Sequence, residues 1–538
     1  MKSLLCVLAL AACGGPQKDT TPNGTGNGSA GATKPNAAGD VSLELPAIPI
    51  QGIIFEPEAL GRPGMPMVAS KNPKDTIDIV KKRVASEKDP VLKQAYAAVV
   101  ATMLFTRSKT EQDAAQKATI TEARQALRDA AEYARGKKVM VDLVTLRLLG
   151  SYEIQLEAWP EAEKAWTELV TSAPKDPNVG EHRVWQVYAQ LKQYKNAEAL
   201  ATVKAETPSE KQPLLAYVIA WAKWRAGDDA GAWQAIVAAA AGWGTNALRD
   251  ALERDVLLFA GRSKVPYAQV KPELFKVFNA KQPAQQYEVL AKLGLQAYQF
   301  AGRWSEGVEA LEEALKLAGA TVPPNDRIAI HYYEADFTVR LDQPEAASRQ
   351  AKEAIAALAG CPSPKPCAAK EKEDIVTGIY GMARMFHLLY ATANDIRYYQ
   401  PAHDLYDATI PLLMNTATRT DAQKDRDTLE KTLKNTKAGT GIHEKQAIGV
   451  LLQRHNQEIK ACYEVSLAAN PKLGGKLTLD LESDQTGAIK GVATEPKAGA
   501  ADLAAVAGCV ANSAKQWKLP KRGMPGNSRI KLTYTLSK

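Results

Sequence analysis

The 538-residue sequence has few of the residues that enzymes most often use for catalysis, with only six histidines and six cysteines. No two histidines stand four residues apart, as a helical zinc site of the H-E-x-x-H type requires. The sequence "HEKQ" at residues 443–446 is therefore not a zinc-protease motif. The chain also has no G-x-S-x-G nucleophile elbow and no Walker A loop. We expect no catalytic activity, no metal site and no cofactor.

The sequence also lacks a long apolar run. Hydrophobic residues make up 45% of the chain and charged residues 24%, which is an ordinary balance for a soluble globular protein. Beyond the N-terminal region, no segment approaches the ~20 apolar residues that a membrane-spanning helix needs. The N-terminus itself has one charge, Lys2, followed by a short apolar run over residues 4–12. This arrangement predicts a secretory signal.

The signal ends in "LAAC" at residues 10–13, which resembles a bacterial lipobox. The resemblance implies that residues 1–12 are a removed signal peptide and that Cys13 carries the lipid anchor. An ordinary signal cleaved at an A-x-A-like site is the alternative. Gly14 follows the cysteine where an Asp would favour the inner membrane. We therefore expect an outer-membrane lipoprotein on the periplasmic face.

Changes in composition predict the domain organisation of the remaining chain. Residues 13–40 are rich in small and polar side chains, so they cannot bury enough apolar surface to fold, and we expect a flexible tether. The predicted segments that follow are an extended Pro/Gly-rich stretch at 41–72, a helical array at 73–435, a linker at 436–441 and a C-terminal domain at 442–538.

The predicted array contains weak internal repeats. Trp159, Tyr194 and Asp229 stand 35 residues apart, and each is followed three positions later by a small residue, Ala162, Ala197 and Ala232. Related segments begin at residues 302 and 342, and Gly307 takes the place of the small alanine in the first of these. The pattern resembles the tetratricopeptide repeat (TPR), a helix–turn–helix unit of ~34 residues. The resemblance implies a mainly α, TPR-like solenoid with an extended surface for partner proteins.

An aromatic stripe within this array has two interpretations. Tyr217, Trp221 and Trp224 recur at helical spacing and so share one helix face. They could line a groove that stacks a peptide or a glycan, or they could pack inside the repeat. The packing interpretation is favoured, because aromatic residues at this spacing most often belong to a core.

The last hundred residues have a different pattern. An amphipathic helix over residues 442–471 is followed by the alternating strand "GKLTLDLES", the turn "DQTG" and a second strand, "AIKGVATE". A second helix and the strand "RIKLTYTLS" complete the segment. The predicted order is α-β-β-α-β, a small α/β domain with one sheet and helices on it.

Four cysteines remain once Cys6 is removed with the signal and Cys13 is acylated. In an oxidising periplasm, four cysteines are most simply two disulfides. Proximity in the sequence favours the pairs Cys361–Cys367 and Cys462–Cys509. The second pair closes a loop of about 50 residues, so it would contribute about 4 kcal/mol to stability if unstrained.

The C-terminal segment resembles the domain shared by AgmX- and PglI-type gliding-motility proteins of myxobacteria, which is related in form to the TonB C-terminal domain. The match rests on these residues: His455, Ile459, Cys462, Tyr463, Asn470, Pro471, Gly475, Lys476, Leu477, Cys509 and Trp517 to Pro520. With the lipobox and the repeats, the chain resembles the TPR lipoproteins of the adventurous gliding machinery (AglT-like). That resemblance implies a periplasmic scaffold that binds other proteins of an envelope-spanning motility complex. The alternatives are a general envelope or outer-membrane assembly scaffold and a glycan-binding accessory protein.

Positive charge is concentrated near the C-terminus. Residues 441–538 hold fourteen Lys and Arg against eight Asp and Glu, which is most of the net charge of +8. The candidate partner-binding residues among them are Lys515, Lys518, Lys521, Arg522, Arg529 and Lys531. They could attract an acidic partner such as peptidoglycan, lipid headgroups or an acidic protein segment. Equally, they could be the solvated lysines that protect an edge strand from pairing. The expected compartment excludes nucleic acid.

Overall fold

The computed structural model describes residues 73–243, 249–298, 301–361, 367–393, 395–435, 455–456, 458–467, 470, 472–497, 503–519 and 528–536. The predicted signal peptide, lipidated Cys13, tether, extended segment and 436–441 linker lie outside these residues. Within them, no helix is long and apolar enough to cross a membrane.

The fold is mainly α, as the sequence predicts. The helices of the array are α1 Pro73–Ser86, α2 Pro90–Ser108, α3 Asp113–Gly136, α4 Leu143–Gln155, α5 Trp159–Ser172, α6 Val179–Lys192, α7 Asn196–Val203, α8 Pro213–Arg225, α9 Asp229–Gly242, α10 Arg249–Arg262, α11 Tyr267–Val277, α12 Pro283–Lys292, α13 Trp304–Ala318, α14 Pro324–Arg340, α15 Pro344–Ala359, α16 Ala369–Ala393, α17 Tyr399–Thr409 and α18 Thr416–Asn435. A π-helical turn, Leu293–Tyr298, continues α12.

The described residues form two compact units that divide between Phe259 and Ala260. In the first unit, consecutive helices pack as pairs (α2 on α3, α4 on α5, α8 on α9), and α2 also contacts α4 as α6 contacts α8. In the second unit, α12 packs on α13, α14 on α15 and α16 on α17, with further contacts between α14 and α16 and between α15 and α17. Each unit is thus built from helical hairpins that stack on their neighbours.

Five of these hairpins share one turn geometry. One residue in each turn has a positive φ, and these residues are Glu157, Tyr194, Gly227, Gly302 and Asp342. In every case the backbone N–H of the next residue donates to the carbonyl five positions earlier, at 2.8–3.1 Å. This is the hydrogen bond of a Schellman C-cap, which ends a helix through a left-handed residue. The repeat of the sequence is therefore a repeat of structure.

The turns correct the repeat register that the sequence suggests. Counting five residues on from the positive-φ residue gives a buried small residue in every hairpin, namely Ala162, Ala199, Ala232, Gly307 and Ala347. The predicted Ala197 is exposed, and Ala199 takes its place in the core. The constant 35-residue spacing is wrong for the same reason, because the turns at Glu157, Tyr194 and Gly227 are 37 and then 33 residues apart.

The C-terminal domain has the predicted α-β-β-α-β order. Helix α19, described at 455–456 and 458–467, precedes β1 Gly475–Ser483 and β2 Ile489–Lys497, and α20 Ala504–Ala514 precedes β3 Ser528–Leu536. The strands form an antiparallel sheet in the order β2-β1-β3. Leu477, Leu479 and Leu481 of β1 are fully buried, and β3 alternates exposed and buried residues along its length. One face of the sheet therefore packs against the helices, in the manner of a half-buried antiparallel sheet.

Both predicted disulfides are present. Cys361 and Cys367 are joined with their Cα atoms 6.0 Å apart, and both lie in the core beside α15 and α16. Cys462 and Cys509 are joined with a Cα separation of 5.7 Å. The second bond links α19 to α20 across the C-terminal domain.

Candidate functional site at the contact of α19 with α10 and α13

The aromatic stripe of α8 lies in the protein interior. The exposed fractions of Tyr217, Trp221 and Trp224 are 1%, 0% and 2%. The groove interpretation of these residues is therefore corrected, because rings that the protein covers on every side offer no face to a ligand. Trp221 and Trp224 instead pack edge to face with each other, and both contact the ring of Phe259.

The polar atoms of two of these rings, the Tyr217 hydroxyl and the Trp221 indole N–H, bond to a buried carboxylate. Asp255 of α10 is fully buried, and it accepts hydrogen bonds from the Tyr217 hydroxyl at 2.5 Å and the Trp221 indole N–H at 3.1 Å. The Arg254 guanidinium also donates to this carboxylate, at 2.7 Å. Burial raises the pKa of the Asp255 carboxyl despite these donors. Sequence spacing gave no sign of this contact, since Asp255 is 38 residues from Tyr217.

Four of the six candidate basic residues lie in the described part of the chain, in two different segments. Lys515 and Lys518 are exposed after α20, while Arg529 and Lys531 are exposed on β3. Lys531 lies 3.8 Å from Asp480, and Arg529 lies directly opposite Glu482 in the strand register. Acidic residues of β1 thus balance the two β3 cations. Lys521 and Arg522 lie outside the described residues.

The most unusual polar constellation is centred on Glu458 of α19. One carboxylate oxygen accepts a hydrogen bond from the Trp304 indole N–H of α13 at 2.9 Å. The other oxygen accepts from the Trp517 indole N–H at 2.6 Å. His455 Nδ1 lies 2.9 Å from the first oxygen. Only 13% of the Glu458 side chain is exposed. Through these hydrogen bonds the carboxylate joins the C-terminal domain to the helical array within one compact unit.

The neighbouring groups fix the orientation of each donor. The His455 and Trp517 rings stack nearly parallel, with centroids 4.3 Å apart. The Trp304 ring packs on Phe337 at 5.3 Å and carries the Arg340 guanidinium 4.6 Å above its face. The two indole N–H groups therefore point at the carboxylate from rings that cannot easily turn.

Gly302 allows α19 to come this close. It is the positive-φ residue of the turn between α12 and α13, and a Cβ placed on it would lie 2.9 Å from Glu458 Cγ. That distance is too short for two carbon atoms. The glycine thus serves both the left-handed turn and the approach of the Glu458 side chain.

The hydrogen bonds around Glu458 determine its ionisation. Burial alone would raise the pKa of the Glu458 carboxyl, because a charge in the interior loses its hydration. The hydrogen bond and the positive charge of His455, with the hydrogen bonds from Trp304 and Trp517, outweigh that effect and hold the pKa of the Glu458 carboxyl below its usual value. The site is therefore built for a carboxylate anion.

Arg262 extends the contact toward the end of α10. Its guanidinium donates to the carbonyl of Ala461 at 3.2 Å and to the Glu464 carboxylate at 3.4 Å, and only 9% of its side chain is exposed. Two carboxylates of α19, Glu458 and Glu464, thus meet donors from α13 and α10.

An open cleft of about 360 Å³ lies beside this contact. Its lining includes Arg262, Lys264, Arg303 and Glu306. The Arg303 guanidinium donates to the carbonyls of Ser263 and Val265 at 2.7 Å and pairs with Glu306. Arg303 therefore holds the walls of the cleft together, while the exposed Lys264 places a positive charge at its rim.

Sequence reasoning marked Trp517 through the family resemblance and His455 both through that resemblance and as part of the apolar face of the predicted helix, and it missed Glu458. The signal was present in the helical spacing. Glu458 is three residues after His455 and four before Cys462, so it lies on the apolar side of the predicted helix. A carboxylate at such a position needs buried donors.

The comparisons with known proteins leave the family open: the sequence matches no protein-family model, and it matches no curated protein significantly. Among the described residues, no group of three or more His, Cys, Asp and Glu side chains could hold a metal ion.

Proposed function

We propose that the protein is a scaffold of the bacterial envelope, anchored in the outer membrane through a lipid on Cys13, and that its TPR-like helical array binds partner proteins in the periplasm. The observation that carries the proposal is the series of five hairpins with the same turn and the same buried small residue. Stacked hairpins of this kind bury a continuous core and leave an extended surface, which such arrays use for protein binding.

The motility assignment rests on the combination of this array with the C-terminal domain and the lipobox. The combination resembles the TPR lipoproteins of the adventurous gliding machinery. We infer that the protein is a structural component of an envelope-spanning gliding complex, with further proteins of that complex as its partners. Peptidoglycan remains a further candidate partner for the C-terminal domain.

The C-terminal sheet offers a second way to bind such partners. Strand β3 is at the edge of the sheet, and its side chains alternate strictly between exposed and buried. The start of the opposite edge strand is bridged by Lys518, and Leu519 donates to the Gly487 carbonyl at 2.8 Å. A partner strand would therefore add more easily to β3, as in β-augmentation.

Single-cell tracking on agar, with this gene cleanly deleted in the native organism, tests the motility proposal. The proposal predicts that isolated cells stop gliding while growth and secretion stay normal. If gliding continues, the general envelope or outer-membrane assembly scaffold becomes the better proposal.

The glycan-binding alternative has lost its main support, because the rings of Tyr217, Trp221 and Trp224 are covered. Muropeptides should accordingly leave the tryptophan fluorescence of the purified protein unchanged. Quenching by muropeptides would restore this alternative.

A further inference from the structure

The surface of α13 and α10 that α19 covers has the properties of a recognition site. It presents an indole N–H from Trp304 and a guanidinium from Arg262, and both donate to groups of α19. The cleft beside it adds the Lys264 ammonium. What occupies the surface is a helix that carries two carboxylates, Glu458 and Glu464.

The hydrogen bonds across this contact join polar groups of α19 to side chains of α13 and α10. The core cluster of the C-terminal domain contains Ile459, Cys462 and Tyr463 of α19, so the apolar side of that helix is used within its own domain. The groups that meet α13 and α10 are Glu458, which stands at the border of this apolar side, the Ala461 carbonyl and Glu464. Polar contacts of this kind are typical of interfaces that form and separate, whereas permanent interfaces are more apolar.

We propose that this surface of α10 and α13 is a docking site for acidic helices of partner proteins, and that α19 is the chain's own competing occupant. This proposal rests on the scaffold function proposed above and names the class of partner. A partner helix would place one carboxylate on the Trp304 indole N–H and a second on the Arg262 guanidinium. The open cleft beside Arg262 would take a further side chain that α19 does not supply.

The site selects a carboxylate on a helix for two reasons. An indole N–H is a single directed donor, and a guanidinium donates in a planar fork that suits a carboxylate. The Glu458 contact shows how closely the helix must approach. The Glu458 side chain lies so near the turn that a Cβ on residue 302 would be 2.9 Å from its Cγ, so the turn admits it only because residue 302 is glycine.

The test uses the full chain and a labelled peptide with the sequence of residues 453–468, in which Cys462 is replaced by serine. Fluorescence anisotropy measures binding of this peptide to the wild-type protein and to the Glu458→Gln variant. Glu458→Gln weakens the internal competitor, so we expect the peptide to bind the variant at least about tenfold more tightly, which corresponds to ~1.4 kcal/mol. The Glu464→Gln variant is the matched control on the same helix. It removes the longer contact, with Arg262 at 3.4 Å, and keeps the Trp304 contact, so the peptide should show a smaller gain in affinity.

Two further variants identify the donors. The same peptide with Glu458 changed to Gln should bind the Glu458→Gln protein at least about tenfold more weakly than the unchanged peptide. Trp304→Phe keeps an aromatic ring but removes the N–H, and added to Glu458→Gln it should abolish the gain. Circular dichroism of each variant checks that the fold is retained.

Equal binding to wild type and Glu458→Gln, or equal binding of the two peptides, would overturn the proposal. These results are independent of the motility assay. A strain that still glides refutes the motility assignment but leaves the peptide measurement valid, and a failed peptide measurement leaves the gliding phenotype unaffected.

Discussion

Trp304 and Glu458 are 154 residues apart in the chain, yet the indole N–H of one donates to the carboxylate of the other at 2.9 Å. The first residue begins helix α13 of the array, and the second lies in the helix that opens the C-terminal domain. The C-terminal domain and the later hairpins of the array are thus held in one compact unit. Their contact depends on a buried charge.

The pH dependence of stability should report this buried charge. The pKa of the Glu458 carboxyl is lowered in the folded protein, so its contribution is complete above its ordinary value of about 4.5 and is lost as the pH falls through the folded pKa. We therefore expect urea midpoints to fall more steeply below about pH 4.5 in the wild type than in Glu458→Gln. An equally steep fall in the variant would show that Glu458 does not contribute.

The corrected repeat register predicts unequal effects for two alanines of one helix. Ala199 is fully buried, so Ala199→Leu overpacks the hairpin and should destabilise the protein by about 1–3 kcal/mol. Ala197 is exposed, so Ala197→Leu should change stability by no more than about 0.5 kcal/mol. Thermal unfolding of the two variants compares the registers directly. A larger loss for Ala197→Leu would restore the uniform 35-residue spacing.

The two disulfides should differ in their effect on stability. Cys462 and Cys509 close a loop with a sequence separation of 47, against 6 for Cys361 and Cys367. Loop entropy then predicts a loss of about 4 kcal/mol when both cysteines of the long loop become alanine, and about 2 kcal/mol for the short loop. Melting temperatures under oxidising conditions measure both variants. Equal losses would show that loop length does not determine the effect.

The lipid anchor makes a prediction of its own. Cys13→Ser removes the sulfur that the lipobox resemblance assigns to acylation, and acyl chains account for stable membrane attachment at ~0.8 kcal/mol per buried CH₂. The variant should move from the membrane to the soluble fraction of cells washed in high salt. Retention after that wash would contradict lipidation at Cys13.

Local patterns in the sequence were sufficient to predict much of the fold. Helical periodicity predicted the array, and alternation predicted the strands, because β1 and β3 each bury one face. Both disulfide pairs followed from proximity along the chain. These features depend on neighbouring residues, which is why one sequence was enough.

The repeat register and the candidate site could not be predicted in the same way. The register depends on which residue adopts a positive φ, and Glu157, Tyr194 and Asp342 share no side-chain chemistry that marks this. The contact of Glu458 with Trp304 depends on how the C-terminal domain packs in three dimensions. Long-range contacts of this kind leave only a weak sign in the sequence, here a carboxylate on the apolar side of a helix.

A double-mutant cycle between Trp304→Phe and Glu458→Gln tests most directly whether the C-terminal domain is held on the array by this hydrogen bond. Hydrogen bonds to charged groups contribute about 1.5–3 kcal/mol, so the two changes should be coupled by at least ~1 kcal/mol in the free energy of unfolding from urea titrations. Losses that add to within about 0.5 kcal/mol would contradict the account, because the two residues would then not interact in solution.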